Sequence, residues 1–424
     1  MTLDSPRVIR IEFAVMARKS SGRRDIRVLQ SIFSLRTPTR NEIARHSGTS
    51  PVTLTEILGR LRGRGLVEHS GRSEGRSGRP SATYRLGEKV GYSIGVSVEE
   101  GEVRIVGVDS RHRVICGREF TLKLSSDPAT HLDDILRQIS TELKRIIAGK
   151  ELKGRSLRAI GIAPPGMVDT ERGIWLHGLQ VSGITHVALR DTMEEMFGLP
   201  VVVEDMSRCL ACLEADRRSA EDARDLVYLN LGAGVGAGIL IGQEPYLGAH
   251  GLAGEVGHLF VEEKGTRCPC GSIGCLETVV SRAGILNRFH QRLSEGVISS
   301  LQRYQIGGEE LLTLEAIRDA GAAGDRLAQA TMFEIGTFLG DACSKIIKLY
   351  NPRTLIIGGP VAILGDLLRE PTWIKVRQKV IPEMLVDLAM SFAASEPIDG
   401  ALGAALLAER KFWKSIDADR APFT

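Results

Sequence analysis

Gly254–Glu277 reads G-E-V-G-H-L-F-V-E-E-K-G-T-R-C-P-C-G-S-I-G-C-L-E. It gathers His258, Cys268, Cys270 and Cys275, one imidazole and three thiols, in one short stretch. That donor set suits a closed tetrahedral zinc site of the structural kind, and the glycines between let a short loop fold back so that the ligands converge. Three of the chain's seven cysteines fall in this run, a spacing that points to a metal in a reducing compartment and away from a disulfide framework.

Outward from this loop, strand and helix patterns alternate, which predicts an α/β architecture. Strands are expected at Tyr92–Val98, Val103–Asp109, Arg158–Ala163, Val201–Glu204, Leu226–Leu231 and Thr354–Ile357. Helices are expected at His131–Ala148, Leu189–Met196, Ser207–Asp216 and Ala328–Leu349. The stretches Tyr92–Asp109 and Leu226–Ile241 look alike, each a strand pair around a Gly-rich turn, which suggests a duplicated, two-lobed body.

The zinc-loop pattern G-E-x-G-H, nine residues, C-x-C-G-x-x-G-C-x-E resembles the signature of the ROK family (repressors, open reading frames, kinases). The likeness extends over nearly the whole body: Gly161–Asp169, the glycine run Leu231–Gly238, Asn351-Pro352 with Ile356–Gly359, and Gly400–Ala405. The resemblance implies an actin-like, two-lobed sugar-kinase fold. It also implies that Glu255, His258 and Glu277 hold sugar hydroxyls. The chemistry agrees, because carboxylates accept paired hydrogen bonds from vicinal hydroxyls and a bound metal fixes the imidazole.

Two features of the family's kinases are altered. Where the family has the phosphate loop D-x-G-G-T, this chain has Ser97-Val98-Glu99-Glu100-Gly101, and carboxylates repel a polyphosphate. Where the family reads P-V-x-V-E-N-D-x-N, an ungapped match anchored by Pro200, Glu204 and Glu214 puts Met206 at the catalytic Asp, with Asp205 and Arg208 at the two Asn positions. A thioether cannot take a hydroxyl proton. The body is therefore expected to sense a sugar or sugar derivative without phosphorylating it. Asp205 is a further candidate ligand contact, and Asp205 with Arg208 would suit a different or charged ligand.

Residues 1–90 hold 18 Lys and Arg against 8 Asp and Glu, a net +10, while the remainder holds 37 against 44, a net −7. A basic head on an acidic body is the footprint of phosphate-backbone binding by the head alone. Within it, Asp25 is expected to cap a helix bearing Ile26, Leu29, Ile32 and Phe33. Thr39 and Glu42 form a capping box. Ser47-Gly48 breaks the chain, and Ser50 with Pro51 starts a third helix with Val52, Ile57, Leu58 and Leu61 inward. A strand from Gly65 and its return at Ala82–Leu86 enclose S-G-R-S-E-G-R-S-G-R-P-S, which makes a winged helix-turn-helix. The expected DNA contacts are Ser50, Thr53, Thr55 and Arg60 on the reading helix and Arg72, Arg76 and Arg79 on the wing.

The expected organisation is a tail at 1–21, the winged head at 22–87, the body at 88–410 and a second tail at 411–424. Arg7 and Arg10 followed by Ile11–Ala17 mimic an export signal, but Glu12 interrupts the apolar stretch and no cleavage site follows. No apolar run approaches the ~20 residues of a membrane span. The leading reading is a cytoplasmic, sugar-responsive repressor that binds operator DNA as a homodimer or dimer of dimers. The alternatives are an active ATP-dependent sugar kinase of hexokinase or glucokinase type that also binds DNA, and a constitutive DNA-binding protein with a vestigial body.

Overall fold

The computed structural model describes residues 20–72, 81–178, 181, 183–304 and 311–416. Contacts divide the chain into two compact units, one running to Glu204 and resuming at Gly400, the other Asp205–Asp399.

The first unit begins with α1 (Ser20–Leu35), α2 (Arg40–Ser47) and α3 (Pro51–Gly63), then antiparallel β1 (Val67–Arg72) and β2 (Ala82–Leu86), with Val67 opposite Leu86. The capping box forms as expected. The Glu42 amide donates to Thr39 Oγ1, and the Thr39 amide donates to Glu42 Oε2 at 2.7 Å. Ser50 caps α3, with Pro51 in its first position. Two expectations fail. Asp25 lies inside α1 instead of capping it, and its buried carboxylate pairs with Arg60 of α3. Val52 is 75% exposed. The buried stripe of α3 is Leu54, Ile57, Leu58 and Leu61, the i, i+3, i+4, i+7 rhythm of one helix face, and Val52 lies on the opposite side.

Next come β3 (Tyr92–Glu99), β4 (Glu102–Asp109) and β5 (Val114–Thr121), an antiparallel meander, then α4 (His131–Ile147) and β6 (Leu157–Ala163). A small three-stranded sheet follows, β7 (Met167–Asp169), β8 (Ile174–His177) and β9 (Thr185–Val187), then α5 (Leu189–Phe197) and β10 (Val201–Val203). β6 joins the meander parallel to β3, and β10 lies parallel to β6.

The second unit holds α6 (Met206–Asp216), β11 (Asp225–Leu231), β12 (Val235–Ile241), β13 (Glu244–Pro245), α7 (Glu277–Val280), α8 (Arg282–Ser294), α9 (Leu314–Ala322), α10 (Arg326–Tyr350), β14 (Thr354–Gly358), α11 (Asp366–Lys379) and β15 (Ala389–Ala393). Its sheet order, β13-β12-β11-β14-β15, repeats that of the first, β5-β4-β3-β6-β10. In both, a meander continues through two parallel strands on the far side of its first strand. The duplication read from the two strand pairs is thus one of topology. No helix among the described residues is long and apolar enough to cross a membrane.

The last helix, α12 (Asp399–Ser415), returns to the first unit and runs through the expected boundary at 410. It lies directly on β3 and β6. A Cβ on Gly95 would fall 1.8 Å from the Ala401 carbonyl oxygen, and one on Gly161 would fall 2.0 Å from that of Ala404. Farther along, fully buried Glu409 meets fully buried Arg158 of β6 at 2.7 Å. The helix then ends in the head, where Trp413 and Ile416 join Ile26, Leu29, Ile32, Leu58 and Leu61 in one core. Phe33 stacks on Trp413 at 5.7 Å, and Gln30 Nε2 donates to the carbonyls of Trp413 and Ile416. Arg111 of the β4–β5 turn pairs with Glu68 of β1.

Removing one partner of a buried ion pair strands the other charge. Glu409→Ala is expected to cost about 3–5 kcal/mol, whereas Arg158→Met with Glu409→Leu, an apolar pair of similar size, is expected to cost far less. The midpoints of urea unfolding followed by circular dichroism test this.

Candidate functional site

The loop after β13 folds back on itself through paired positions Phe260 with Cys275 and Arg267 with Ile273. The Cys268 amide donates to the Ser272 carbonyl, and the Gly271 amide to that of Cys268, which closes the turn around Cys270. This brings the donor atoms of His258, Cys268, Cys270 and Cys275 within 4.8 Å of one another. His258 Nδ1 stands 3.6 Å from Cys268 Sγ, and the Cys270 and Cys275 sulfurs are 3.7 Å apart. Ligands about 2.3 Å from one tetrahedral centre are separated by about that much, so the cluster fits a metal ion. Because Nδ1 faces the cysteines, Nε2 faces Glu255, 3.8 Å from its Oε2.

Around this imidazole stand charged groups of the same unit. Desolvation, with Asp205 and Glu277 adding and Arg208 opposing, pushes the Glu255 carboxyl up to about 7, although 40% of its side chain stays exposed. Glu277, the first residue of α7, accepts the Val235 amide at 2.9 Å, which ties it to the glycine turn before β12. Asp205 caps α6, one oxygen taking the amides of Ser207 and Arg208. Arg208 is buried and donates to the Ala253 carbonyl at 3.0 Å, from inside the loop that carries Glu255. Glu255, His258, Glu277 and Asp205 are therefore neighbours, and Arg208 joins them.

Met206 is the first residue of α6, at the helix end where the family's base is expected. The carboxylate beside it, Asp205, serves as the helix cap. The glycines of β12 have a packing reason. A Cβ on Gly236 would meet Ser207 Oγ at 2.6 Å, and one on Gly238 would meet the Ser207 carbonyl oxygen at 2.2 Å. In the first unit, Glu99 and Glu102 face each other across a two-residue turn, Glu100-Gly101, with φ of +49° and +83°. Positive φ at both positions marks the tight hairpin turn that matches strand twist. Burial, reinforced by Glu100, pushes the Glu99 carboxyl above its usual range.

In the head, Ser50 Oγ donates to Thr53 Oγ1, and Thr55 Oγ1 donates to the Pro51 carbonyl. Arg60, expected to reach DNA, pairs with the buried Asp25 carboxylate of α1 while 44% of its own side chain stays exposed. Arg72 ends β1 and is exposed; Arg76 and Arg79 lie outside the described residues. Sequence reasoning missed the outward face of Val52 and the Arg40 guanidinium beside Thr55, 3.4 Å away. Strict helical spacing from Leu54 would have excluded Val52 from the core.

The family model described as ROK family matches residues 106–411. This chain belongs to the ROK family. It is 26% identical over 343 residues to the xylose repressor of Caldicellulosiruptor bescii, which covers 81% of this chain and 84% of that one. It is 28% identical over 330 residues to the DNA-binding transcriptional dual regulator NagC of Escherichia coli, covering 78% of each. A glucokinase of Halalkalibacterium halodurans is 32% identical over 239 residues, 56% of this chain and 72% of that one. Among solved structures, a ROK family transcriptional regulator described as a homolog of the E. coli MLC protein superposes with a TM-score of 0.77 at 25% identity, covering 92% of this chain and 98% of that one. A ROK glucokinase of Streptomyces griseus in complex with glucose and AMPPNP gives 0.60 at 26% identity, covering 76% of this chain and all of that one. The ROK regulator therefore matches head and body, while the ROK kinase matches about as much as the body supplies.

If the four ligands hold a metal, Cys268→Ser with Cys275→Ser will abolish it. Plasma mass spectrometry is expected to find one metal ion per chain in the parent and in a Cys116→Ser control, and none in the double variant.

Proposed function

We propose that this chain is a sugar-responsive, DNA-binding transcriptional regulator, a repressor, whose sugar-kinase-like body senses its ligand without phosphorylating it. The observation that carries this is the winged head built into the first unit of a ROK body, an arrangement matched over 92% of the chain by a ROK transcriptional regulator. The names of the xylose repressor and of NagC support the same reading.

In this reading Glu255, Glu277 and the Nε2 side of His258 hold sugar hydroxyls, with Asp205 and Arg208 shaping which sugar fits. Zinc is the ion best suited to three thiolates and one imidazole. Bound there, it would supply a rigid structural support that keeps the imidazole's orientation. Met206 at the base position and the acidic turn Glu99–Glu102 argue for lost phosphoryl transfer. The protein acts in the cytoplasm as a homodimer or dimer of dimers, since one head reads few base pairs and two heads read paired half-sites. Ligand alters operator affinity only by binding two conformations unequally.

The glucokinase relative favours one second reading, an active ATP-dependent sugar kinase that also binds DNA. Two measurements separate them. Gel shifts with DNA flanking the gene, repeated across a panel of sugars and sugar phosphates, are expected to show binding that one sugar changes by roughly 5- to 150-fold. ADP release from ATP with hexoses is expected to stay at background. Robust ADP release overturns the non-enzymatic reading, and binding unmoved by every sugar overturns the sensor.

A further inference from the structure

The DNA-reading helix carries an apolar side chain that the fold leaves outside. Val52 is the second residue of α3, 75% exposed, directly after Pro51 and opposite the buried stripe Leu54, Ile57, Leu58 and Leu61. A β-branched residue gives little to a helix surface, and its stiff χ1 holds its two methyls in one direction. Its polar neighbours have local duties. Ser50 Oγ receives the Thr53 amide and donates to Thr53 Oγ1, Thr55 Oγ1 donates to the Pro51 carbonyl, and Arg60 is bound to Asp25. The first turn of α3 is thus pinned at its cap, with Val52 projecting from it.

In a helix-turn-helix, the N-terminal residues of the second helix meet base edges in the major groove. The one apolar group the four base pairs present there is the C5-methyl of thymine. We infer that Val52 is a specificity-determining residue that selects thymine in each half-site by covering this methyl. The inference rests on the DNA-binding reading above. It adds an aliphatic base contact to the polar DNA contacts expected at Ser50, Thr53, Thr55 and Arg60.

The full-length protein is first used to select binding sites from a random duplex library. Each thymine of the selected site is then replaced singly by deoxyuridine, which removes the methyl and keeps the base pairing. Affinities are measured at one fixed salt concentration, since phosphate contacts make them salt-dependent. At one symmetry-related pair of positions the parent protein is expected to lose about fourfold per methyl removed, the weight of one buried methyl group. Val52→Ser is expected to bind thymine and deoxyuridine equally there. Val52→Thr, which keeps one methyl, is expected to retain part of the preference. Because the side chain is exposed, circular dichroism melting of both variants should match the parent. The inference is overturned if no thymine is methyl-sensitive, or if Val52→Ser keeps the sensitivity. Enrichment of no sequence at all overturns the DNA-binding reading, and this inference with it.

Discussion

Arg158 and Glu409 face each other with almost no access to water. Two charges are tolerable in such a place only together, so the pair favours the register of α12 in which they meet. Gly95 and Gly161 let the helix backbone come down onto β3 and β6, and the ion pair joins the two farther along. With that register set, Trp413 and Ile416 arrive in the head and complete a core that three short helices and a hairpin would otherwise close poorly. The head is therefore a continuation of the first unit, fastened again by Arg111 to Glu68.

The parts that were legible in the sequence are those whose causes are local. The metal cluster follows from a compact motif, and the capping box at Thr39 and the cap at Ser50 each depend on residues within one turn. Strands and helices of the body stand close to their expected bounds because their periodicity is strong over many residues. The misreadings concern partners far apart in the chain. Asp25 has the character of a cap, and only the approach of Arg60 from α3 explains a carboxylate inside α1. Nothing near Trp413 signals that it packs against Phe33, since the contact joins the two ends of the described chain. Strand β5 escaped notice because its side chains are mostly exposed or half-exposed, which blurs alternation.

The duplicated sheets are a frame that this chain shares with ROK sugar kinases. The second unit gathers Glu255, Glu277 and His258 around a metal-ready loop, and its glycines serve close packing of β12 on α6. At the start of α6 the carboxylate is absorbed as a helix cap, where it satisfies two amides that would otherwise lack partners. Arg208, donating to the Ala253 carbonyl, adds a buried cation beside these carboxylates. Three carboxylates and one guanidinium stand together there, a net negative charge that an acidic ligand would have to overcome.

The attachment of the head to α12 has a consequence for the DNA it would read. A head on a loose tether can swivel to find a second half-site at several spacings. A head whose α1 is stacked and hydrogen-bonded to the end of α12 has one heading relative to its own sheet. In a homodimer of the kind proposed, the distance between reading helices would then follow from how the two first units pair. Shifting one half-site by half a helical turn, about five base pairs, would carry it to the opposite side of the DNA, beyond the reach of a head with no slack.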